Sequence, residues 1–337
     1  MTQAASIASF DTGYSADSTE FCPFKDHAQY LAVGTYQLTD EQEANVRIRK
    51  GKTYLFDVTQ PLIPQQTIET PAVLDMKWSH ALVNDKQVLG IADAQGGVHM
   101  YGFNENNTLE KVDHVQATDD PSTLCLSLDW ASRLNKTDGR IVTSHSNGTV
   151  NILTPTESGY VVGEDWHAHD LEAWIAAFDY WNTNVVYSGA DDGLFKGWDI
   201  RDPSNPTFVY KRHMMGVTTM QSNPNKEHVL ATGSYDETIY IWDTRSMRAP
   251  VQTCQTPGGG IWRLKWHPTN ENRLLSASMH AGAFVVDLKQ DEEPVVSTSF
   301  LDHTSMAYGA DWSFADTSLV ASCSFYDHCM HLWKAAD

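Results

Sequence analysis

Four segments of the chain end in nearly the same way. Each begins with small or turn-forming residues, continues as a short alternating run and closes on Trp-Asp or a related pair. The segments are GADDGLFKGWD (189–199), GSYDETIYIWD (233–243), ASMHAGAFVVD (277–287) and SCSFYDHCMHLWK (322–334). Self-similarity of this kind is typical of one supersecondary unit copied around a closed ring, so it predicts a β-propeller.

Within three of these segments an acid precedes the tryptophan by six positions. The pairs are Asp192 with Trp198, Asp236 with Trp242, and Asp327 with Trp333. Because six is even, both side chains lie on one face of an alternating strand, where the Asp can accept a hydrogen bond from an upstream His that also contacts a strand hydroxyl. This is the WD-repeat pattern, and it predicts structural rather than catalytic roles for these acids.

Seven such units fit the chain. They close at Asp57, Tyr101, Leu153, Asp199, Asp243, Asp287 and Trp333. We therefore predict an all-β fold, a seven-bladed WD-repeat β-propeller forming one domain over residues 1–337. Because only four residues follow Trp333, we expect the N-terminal segment, about residues 5–12, to supply the outer strand of the last blade and close the ring.

The charge balance narrows the classes of partner. With 23 Lys and Arg against 43 Asp and Glu, the net charge is −20, which argues against nucleic acid. The negative net charge indicates either a cationic partner or simply a surface that keeps the protein in solution. The odd count of five cysteines without metal-binding spacing indicates free thiols. Since we find no signal peptide and no membrane-spanning run, we expect a cytoplasmic protein and a monomer.

The central channel is where a propeller gathers functional residues. Counting back four residues from the end of each predicted innermost strand gives Leu74, Leu126, Trp174, Thr218, Trp262 and Tyr308. Trp174, Trp262 and Tyr308 then face one mouth of the channel. They either form an aromatic cage that holds a quaternary ammonium by cation–π attraction, or they are packing residues beneath the loops.

Several ionisable residues are predicted near the same mouth. Asp191 lies beside the structural Asp192 and so is free to bind a cation, act as a base or remain a solvated turn residue. Glu172 lies two residues before Trp174. His145 and His280 occupy turns where other blades carry different residues, and each is either a general base or a hydrogen-bonded turn residue. Tyr235 occupies the turn position that corresponds to Asp191.

Gly258 begins a run of three glycines in the loop before Trp262. The backbone N–H groups of Gly259 and Gly260, or the Arg263 side chain, are candidates to bind an oxyanion, with a plain tight turn as the alternative. We find no nucleotide or nucleophile-elbow motif, and the spacing of His167, Asp170 and Glu172 matches no zinc pattern. The sequence therefore predicts no cofactor and no metal.

Particular segments resemble one known family. PGGGIWRLKWHP (257–268), GADDGLFKGWDIR (189–201), GSYDETIYIWDTRSM (233–247) and the opening DTGYSADSTEFCP (11–23) are similar to the diphthine methyltransferase family, also called diphthine methylesterase. The resemblance implies a cytosolic hydrolase that removes the methyl ester from methylated diphthine on translation elongation factor 2, giving diphthine and methanol. The substrate carries a trimethylammonium group.

These expectations combine into one hypothesis. Trp174, Trp262, Tyr308 and Tyr235 hold the ammonium group. One of the candidates His145 and His280, assisted by Asp191 or Glu172, activates water, and Gly259, Gly260 or Arg263 stabilises the oxyanion. A non-catalytic WD-repeat scaffold that binds a protein partner is the alternative, and metal-assisted hydrolysis is a third possibility.

Overall fold

Seven antiparallel sheets follow one another along the chain, and each contributes one blade to a closed ring. The computed structural model describes residues 1–43, 46–289 and 292–336. Within these ranges the chain forms only two short 3-10 turns, Lys25–His27 and Ala131–Arg133, and no helix long and apolar enough to cross a membrane. The predicted seven-bladed β-propeller is confirmed.

The blades are numbered 1 to 7 in chain order, and their strands run from the channel outwards. The innermost strand of blade 1 lies outside the units that the WD-repeat pattern predicts. The strands of blades 1 to 4 are, for blade 1, Ser15–Phe21, Tyr30–Glu43, Val46–Asp57 and Gln66–Pro71; for blade 2, Val73–Trp78, Val88–Asp93, Gly97–Phe103 and Leu109–Gln116; for blade 3, Cys125–Trp130, Ile141–His145, Thr149–Thr156 and Gly159–His167; and for blade 4, Ile175–Phe178, Val185–Gly189, Phe195–Asp199 and Phe208–Tyr210.

The last three blades have the same order, and the N-terminal segment completes two of them. Ser6–Asp11 pairs antiparallel with the third strand of blade 7, and Thr2–Ala4 adds a parallel fifth strand to blade 6. Both pairings cover sheet edges that would otherwise be open. The other strands are, for blade 5, Val217–Ser222, Val229–Ser234, Thr238–Asp243 and Gln252–Gln255; for blade 6, Arg263–Trp266, Arg273–Ala277, Ala283–Asp287 and Val295–Phe300; and for blade 7, Ala307–Trp312, Leu319–Ser324 and Cys329–Lys334.

In blades 4 and 5 the WD-type residues form the hydrogen-bonded chains predicted for them, whereas in blade 7 Asp327 accepts hydrogen bonds from Thr304 and not from His303. In blade 5, His213 contacts Asp236 at 3.2 Å through Nδ1 and Thr232 at 3.0 Å through Nε2, and the Trp242 indole donates to the same hydroxyl at 2.9 Å. Blade 4 repeats the arrangement with His169. Because these groups are buried, satisfying them fixes the packing of the second and third strands.

Tryptophans at the end of the innermost strands join neighbouring blades. The indole N–H of Trp130 donates to the carbonyl oxygen of Lys77 at 2.9 Å, and that of Trp266 donates to Gln221 at 2.9 Å. Trp312 makes the corresponding bond to Lys265. Blades 3, 6 and 7 are therefore each aligned with the preceding blade next to the channel, which fixes the relative positions of side chains from these neighbouring blades.

Candidate active site

The innermost strands carry an irregular residue at the same place in five blades. The strand register shifts at Asp17, Leu74, Leu126, Thr218 and Tyr308, each four residues before the strand ends. A β-bulge redirects a side chain, and bulges are frequent next to active sites. In blades 4 and 6, Trp174 and Trp262 occupy the same position immediately before the strand.

These side chains meet at one mouth of the channel. All of them except Tyr308 line a cavity of about 20 Å³, room for about one water molecule, which we call the mouth pocket. The pocket is lined by Asp17, Leu74, Leu126, Trp174, Thr218, Trp262 and Arg263. Six of the seven lining residues thus occupy the equivalent strand position in six blades, and Arg263 directly follows Trp262.

The predicted aromatic residues form one contiguous cluster. Ring centroids lie 5.5 Å apart for Trp174 and Trp262, 6.3 Å for Trp174 and Tyr235, and 5.9 Å for Tyr235 and Trp262. Tyr308 stacks on Trp262 at 4.6 Å with an interplanar angle of 26°. Trp174 can reach Trp262 across blade 5 because Thr218, between them, has a small side chain.

The rings of this cluster are packed against one another. In the plane of the three ring centroids, the point equidistant from Trp174, Tyr235 and Trp262 lies about 3.4 Å from each, whereas a methylated ammonium in contact with a ring face needs about 4.5 Å. A cation can therefore lie in that plane, in contact with all three rings, only if one of them rotates outwards. Trp174 and Tyr235 are both partly exposed, so they have room to do so.

Asp191 and Glu172 place negative charge at the rim of the cluster. The Trp174 indole N–H donates to Oδ1 of Asp191 at 3.1 Å, and the Asp191 backbone N–H donates to the Glu172 carbonyl at 3.0 Å. Burial raises the pKa of the Tyr235 phenol, and the neighbouring Tyr308, Asp191 and Glu172 raise it further. Both acids therefore lie near the rings, as expected from the sequence.

Asp17 is the residue of this site that the sequence reasoning missed. Its side chain is buried in the mouth pocket, and burial raises its pKa to about 8, although Arg263 opposes the shift. Burial and the charge of Asp17 together raise the pKa of Tyr308 to about 12. A carboxyl group that titrates near neutral pH is suited to general acid–base catalysis.

Arg263 forms part of the floor of the mouth pocket. Its Nη1 lies 3.0 Å from Oδ1 of Asp75, which also pairs with Lys77 at 3.0 Å. Further along the channel Lys265 pairs with Glu20 and lies 3.7 Å from Asp311. Paired, buried charges hold these side chains in fixed positions, so the guanidinium is pre-oriented beside Asp17.

Two polar atoms at the mouth have no hydrogen-bond partner within the described part of the chain. One is Oδ1 of Asp17, an acceptor, and the other is the indole Nε1 of Trp262, a donor, and both atoms are buried. Leaving such groups unpaired costs free energy, on the order of 1–3 kcal/mol each. An unpaired donor and an unpaired acceptor at one pocket indicate a place that accepts a small polar group.

The triple-glycine loop packs closely against the aromatic cluster. A Cβ atom added to Gly260 would lie 3.1 Å from Cα of Tyr235 and 3.1 Å from Sδ of Met279. One added to Gly259, at φ 76°, would lie 2.1 Å from the Ser278 carbonyl oxygen. Glycine is therefore required here for close approach, and the oxyanion role of these N–H groups remains a prediction.

The two histidines predicted as bases lie outside the mouth pocket. His145 is completely buried at the end of a strand of blade 3, and burial lowers its pKa to about 4. His280 is exposed in a turn of blade 6. Neither lines the pocket: His145 is the last residue of the second strand of blade 3, and His280 lies in the turn after the second strand of blade 6.

Three further aromatic residues extend the cluster. Phe325 lies 5.1 Å from Tyr308, 5.0 Å from Tyr326 and 5.8 Å from Tyr36, measured between ring centroids. Tyr326 occupies the turn position equivalent to Tyr235, so the repeat indicates its place. Tyr36 belongs to the long hairpin of blade 1, and nothing in the repeat pattern indicates that it reaches blade 7.

Comparisons with known proteins agree with this architecture. A family model described as "WD domain, G-beta repeat" matches residues 204–243. A chain in the "Crystal Structure of Mitotic Checkpoint Complex" superposes with a TM-score of 0.75 at 16% identity, covering 99% of this chain and 92% of the other. At 16% sequence identity, this structural similarity establishes the fold alone.

Sequence relatives are more specific. The chain is 38% identical to the diphthine methyltransferase of Mus musculus, over 98% of this chain and 74% of that protein. The Schizosaccharomyces pombe diphthine methyltransferase is 32% identical, with 96% of each chain covered. The chain belongs to the diphthine methyltransferase family. Membership of this family confirms the resemblance carried by residues 11–23 and 257–268, the segments that supply Asp17, Trp262 and Arg263.

Proposed function

We propose that the protein hydrolyses the methyl ester of methylated diphthine on translation elongation factor 2, giving diphthine and methanol in diphthamide biosynthesis. Family membership supports the substrate class. The observation that carries the proposal is the combination, at one pocket, of a buried carboxyl with a raised pKa, an unpaired indole N–H and a cluster of aromatic rings.

The aromatic cluster binds the trimethylammonium group. Cation–π attraction contributes about 0.5–2 kcal/mol per ring face when the cation is desolvated. Because the rings touch one another, we propose that Trp174 or Tyr235 rotates outwards as the cation enters. Asp191 and Glu172 then lie at the rim, where their charge attracts the cationic substrate.

As the rings move apart, the ester group of the same substrate enters the mouth pocket. The carbonyl oxygen accepts hydrogen bonds from Nε1 of Trp262 and from the Arg263 guanidinium, which stabilise the oxyanion that forms there. The backbone N–H groups of Gly259 and Gly260 are alternative donors. One oxyanion-hole donor is worth about 3–4 kcal/mol of barrier in known enzymes.

Asp17 replaces the histidines as the proposed base. Its carboxylate removes a proton from water while the water oxygen bonds to the carbonyl carbon. The resulting tetrahedral intermediate collapses, the bond to the methoxy oxygen breaks, and protonated Asp17 returns the proton to form methanol. The bound ammonium favours the carboxylate form of Asp17, since a nearby positive charge lowers a carboxyl pKa.

A direct assay tests the proposal. Purified protein is incubated with elongation factor 2 carrying the methylated, esterified residue, and methanol and the mass of the modified peptide are measured. We expect methanol and the loss of one methylene unit from the peptide, and neither with Asp17→Asn. If the wild-type protein binds the factor but releases no methanol, the scaffold alternative is correct; if chelators stop the reaction, a metal takes part.

A further inference from the structure

The outer part of blade 2 brings two histidines and an aspartate together, away from the mouth pocket. The side chains of Asp93, His99 and His114 each offer a ligand atom, and these atoms all lie within 4.8 Å of one another. We infer that they bind one Zn²⁺ ion, which we call the blade 2 site. Zinc binding at the blade 2 site is independent of the proposed esterase activity.

Strand register explains why these residues meet. His114 of the fourth strand lies directly opposite His99 of the third, so their side chains project from the same face. Asp93 is two residues beyond Ile91, which lies opposite His99 on the second strand, and so shares that face as the diagonal neighbour. The imidazole rings of His99 and His114 lie 4.2 Å apart.

The contact between Asp93 and His99 does not satisfy either group. Oδ2 of Asp93 and Nε2 of His99 lie 2.8 Å apart, but the ring N–H does not point at the oxygen, so this is a close approach without a hydrogen bond. Within the described residues, buried Oδ2 of Asp93 and both ring nitrogens of His99 have no hydrogen-bond partner. Asp93 is fully buried, and its Oδ1 accepts from the backbone N–H of Gln95 and Gly97.

Gly97 makes room for the third ligand. A Cβ atom added to Gly97 would lie 2.9 Å from Nε2 of His114, so any other residue would push the ring away. His114 is exposed, which leaves a path for the ion and a position for water.

Two imidazoles, one carboxylate and a water complete a tetrahedral zinc site. Tetrahedral bonds of about 2.0–2.1 Å separate ligand atoms by about 3.3–3.4 Å. The pair at 2.8 Å therefore needs to open by about half an ångström, and ligand atoms as far as 4.8 Å apart need to approach by up to about 1.4 Å.

Metal titration of the full-length protein tests the blade 2 site. After treatment with a chelator, Zn²⁺ is added and followed by calorimetry, and Co²⁺ by its visible absorption. We expect one ion per chain, a tetrahedral cobalt spectrum and a higher melting temperature with Zn²⁺. His99→Gln and His114→Gln are each expected to weaken binding at least tenfold.

Matched controls make the outcome decisive. His167→Gln removes an exposed imidazole that lies 3.6 Å from Asp170, and we expect it to leave binding unchanged. Since His114 is exposed, its variant retains the fold, which circular dichroism without metal verifies. The inference is overturned if the wild-type protein binds no Zn²⁺, or if both glutamine variants bind it as tightly as the wild type does. Because no substrate is used, a failed esterase assay leaves this result unaffected.

Discussion

The indole of Trp174 and the carboxylate of Asp191 are joined by a hydrogen bond of 3.1 Å at the rim of the channel. Trp174 belongs to the aromatic cluster and lies immediately before the first strand of blade 4. Asp191 lies in the turn after the second strand of the same blade. The bond links the position of an aromatic ring to that of a negative charge. If the ring rotates to admit a cation, the bond must break or move with it.

Removing the Trp262 ring tests whether the aromatic cluster binds the trimethylammonium group. Trp262→Ala deletes the ring that contacts Trp174, Tyr235 and Tyr308, so we expect the Kd for the trimethylated substrate to rise at least tenfold, about 1.4 kcal/mol. Binding is measured by calorimetry with a modified peptide. Trp181→Ala is the matched control, because Trp181 is an exposed tryptophan bonded to Asn223, outside the pocket.

The indole nitrogen of Trp262 can be tested separately from its ring. Trp262→Phe keeps an aromatic face but removes the unpaired N–H. We expect substrate binding within about threefold of the wild type and a fall in kcat of roughly tenfold or more. Equal kcat values would show that this N–H does not contact the oxyanion.

Replacement of the buried carboxyl tests the proposed base. Asp17→Asn is expected to lower methanol release by about 10²-fold or more, because the amide cannot accept a proton from water. In the wild type, kcat/KM should rise with pH and level off above about 8, since the free-enzyme pKa of Asp17 is about 8. His145→Gln and His280→Gln serve as comparisons. If one of these abolishes turnover while Asp17→Asn does not, the base is that histidine.

The same substitution should stabilise the protein. A carboxyl whose pKa rises from 3.8 to about 8 keeps its proton in the folded state after the unfolded state has lost it, so stability falls as pH rises through that interval. We expect Asp17→Asn to raise the melting temperature at pH 8 by roughly 2–8 °C and to have little effect near pH 4. A lower melting temperature at pH 8 would contradict the burial argument.

The hydrogen-bonded chain in blade 5 should matter for stability and not for chemistry. His213→Ala leaves Asp236 and Thr232 without their buried partner, which costs about 1–3 kcal/mol. Thermal unfolding should show the loss, whereas methanol release at low temperature should be unchanged. His228→Ala removes a more exposed imidazole and is expected to change neither.

Much of the fold and part of the site followed from the repeat. The spacing of Asp236 and Trp242 predicted the hydrogen-bonded chains, and counting back from the strand ends predicted the meeting of Trp174 and Trp262. These features are periodic, so the sequence displays them. Asp17 occupies the same position in blade 1, but its strand, Ser15–Phe21, lies before the first predicted unit and so was not aligned with the others.

Other parts of the site depend on contacts that no repeat encodes. Tyr36 reaches Phe325 because the hairpin of blade 1 is longer than those of the other blades. The pairing of Lys265 with Glu20 joins residues 245 positions apart through the closed ring. The partner of a buried charge is set by three-dimensional position, so the sequence could not identify it.

The interlocking of the two ends has a consequence for how the protein is made on the ribosome. Residues 2–11 are synthesised first, but their partners lie between Thr298 and Trp333. The blades that carry Trp262 and Tyr308 therefore gain their edge strands only after residues 298–333 have been synthesised. A chain truncated before Thr298 would lack Tyr308 and would leave residues 2–11 without their partner strands, so its aromatic cluster would be incomplete.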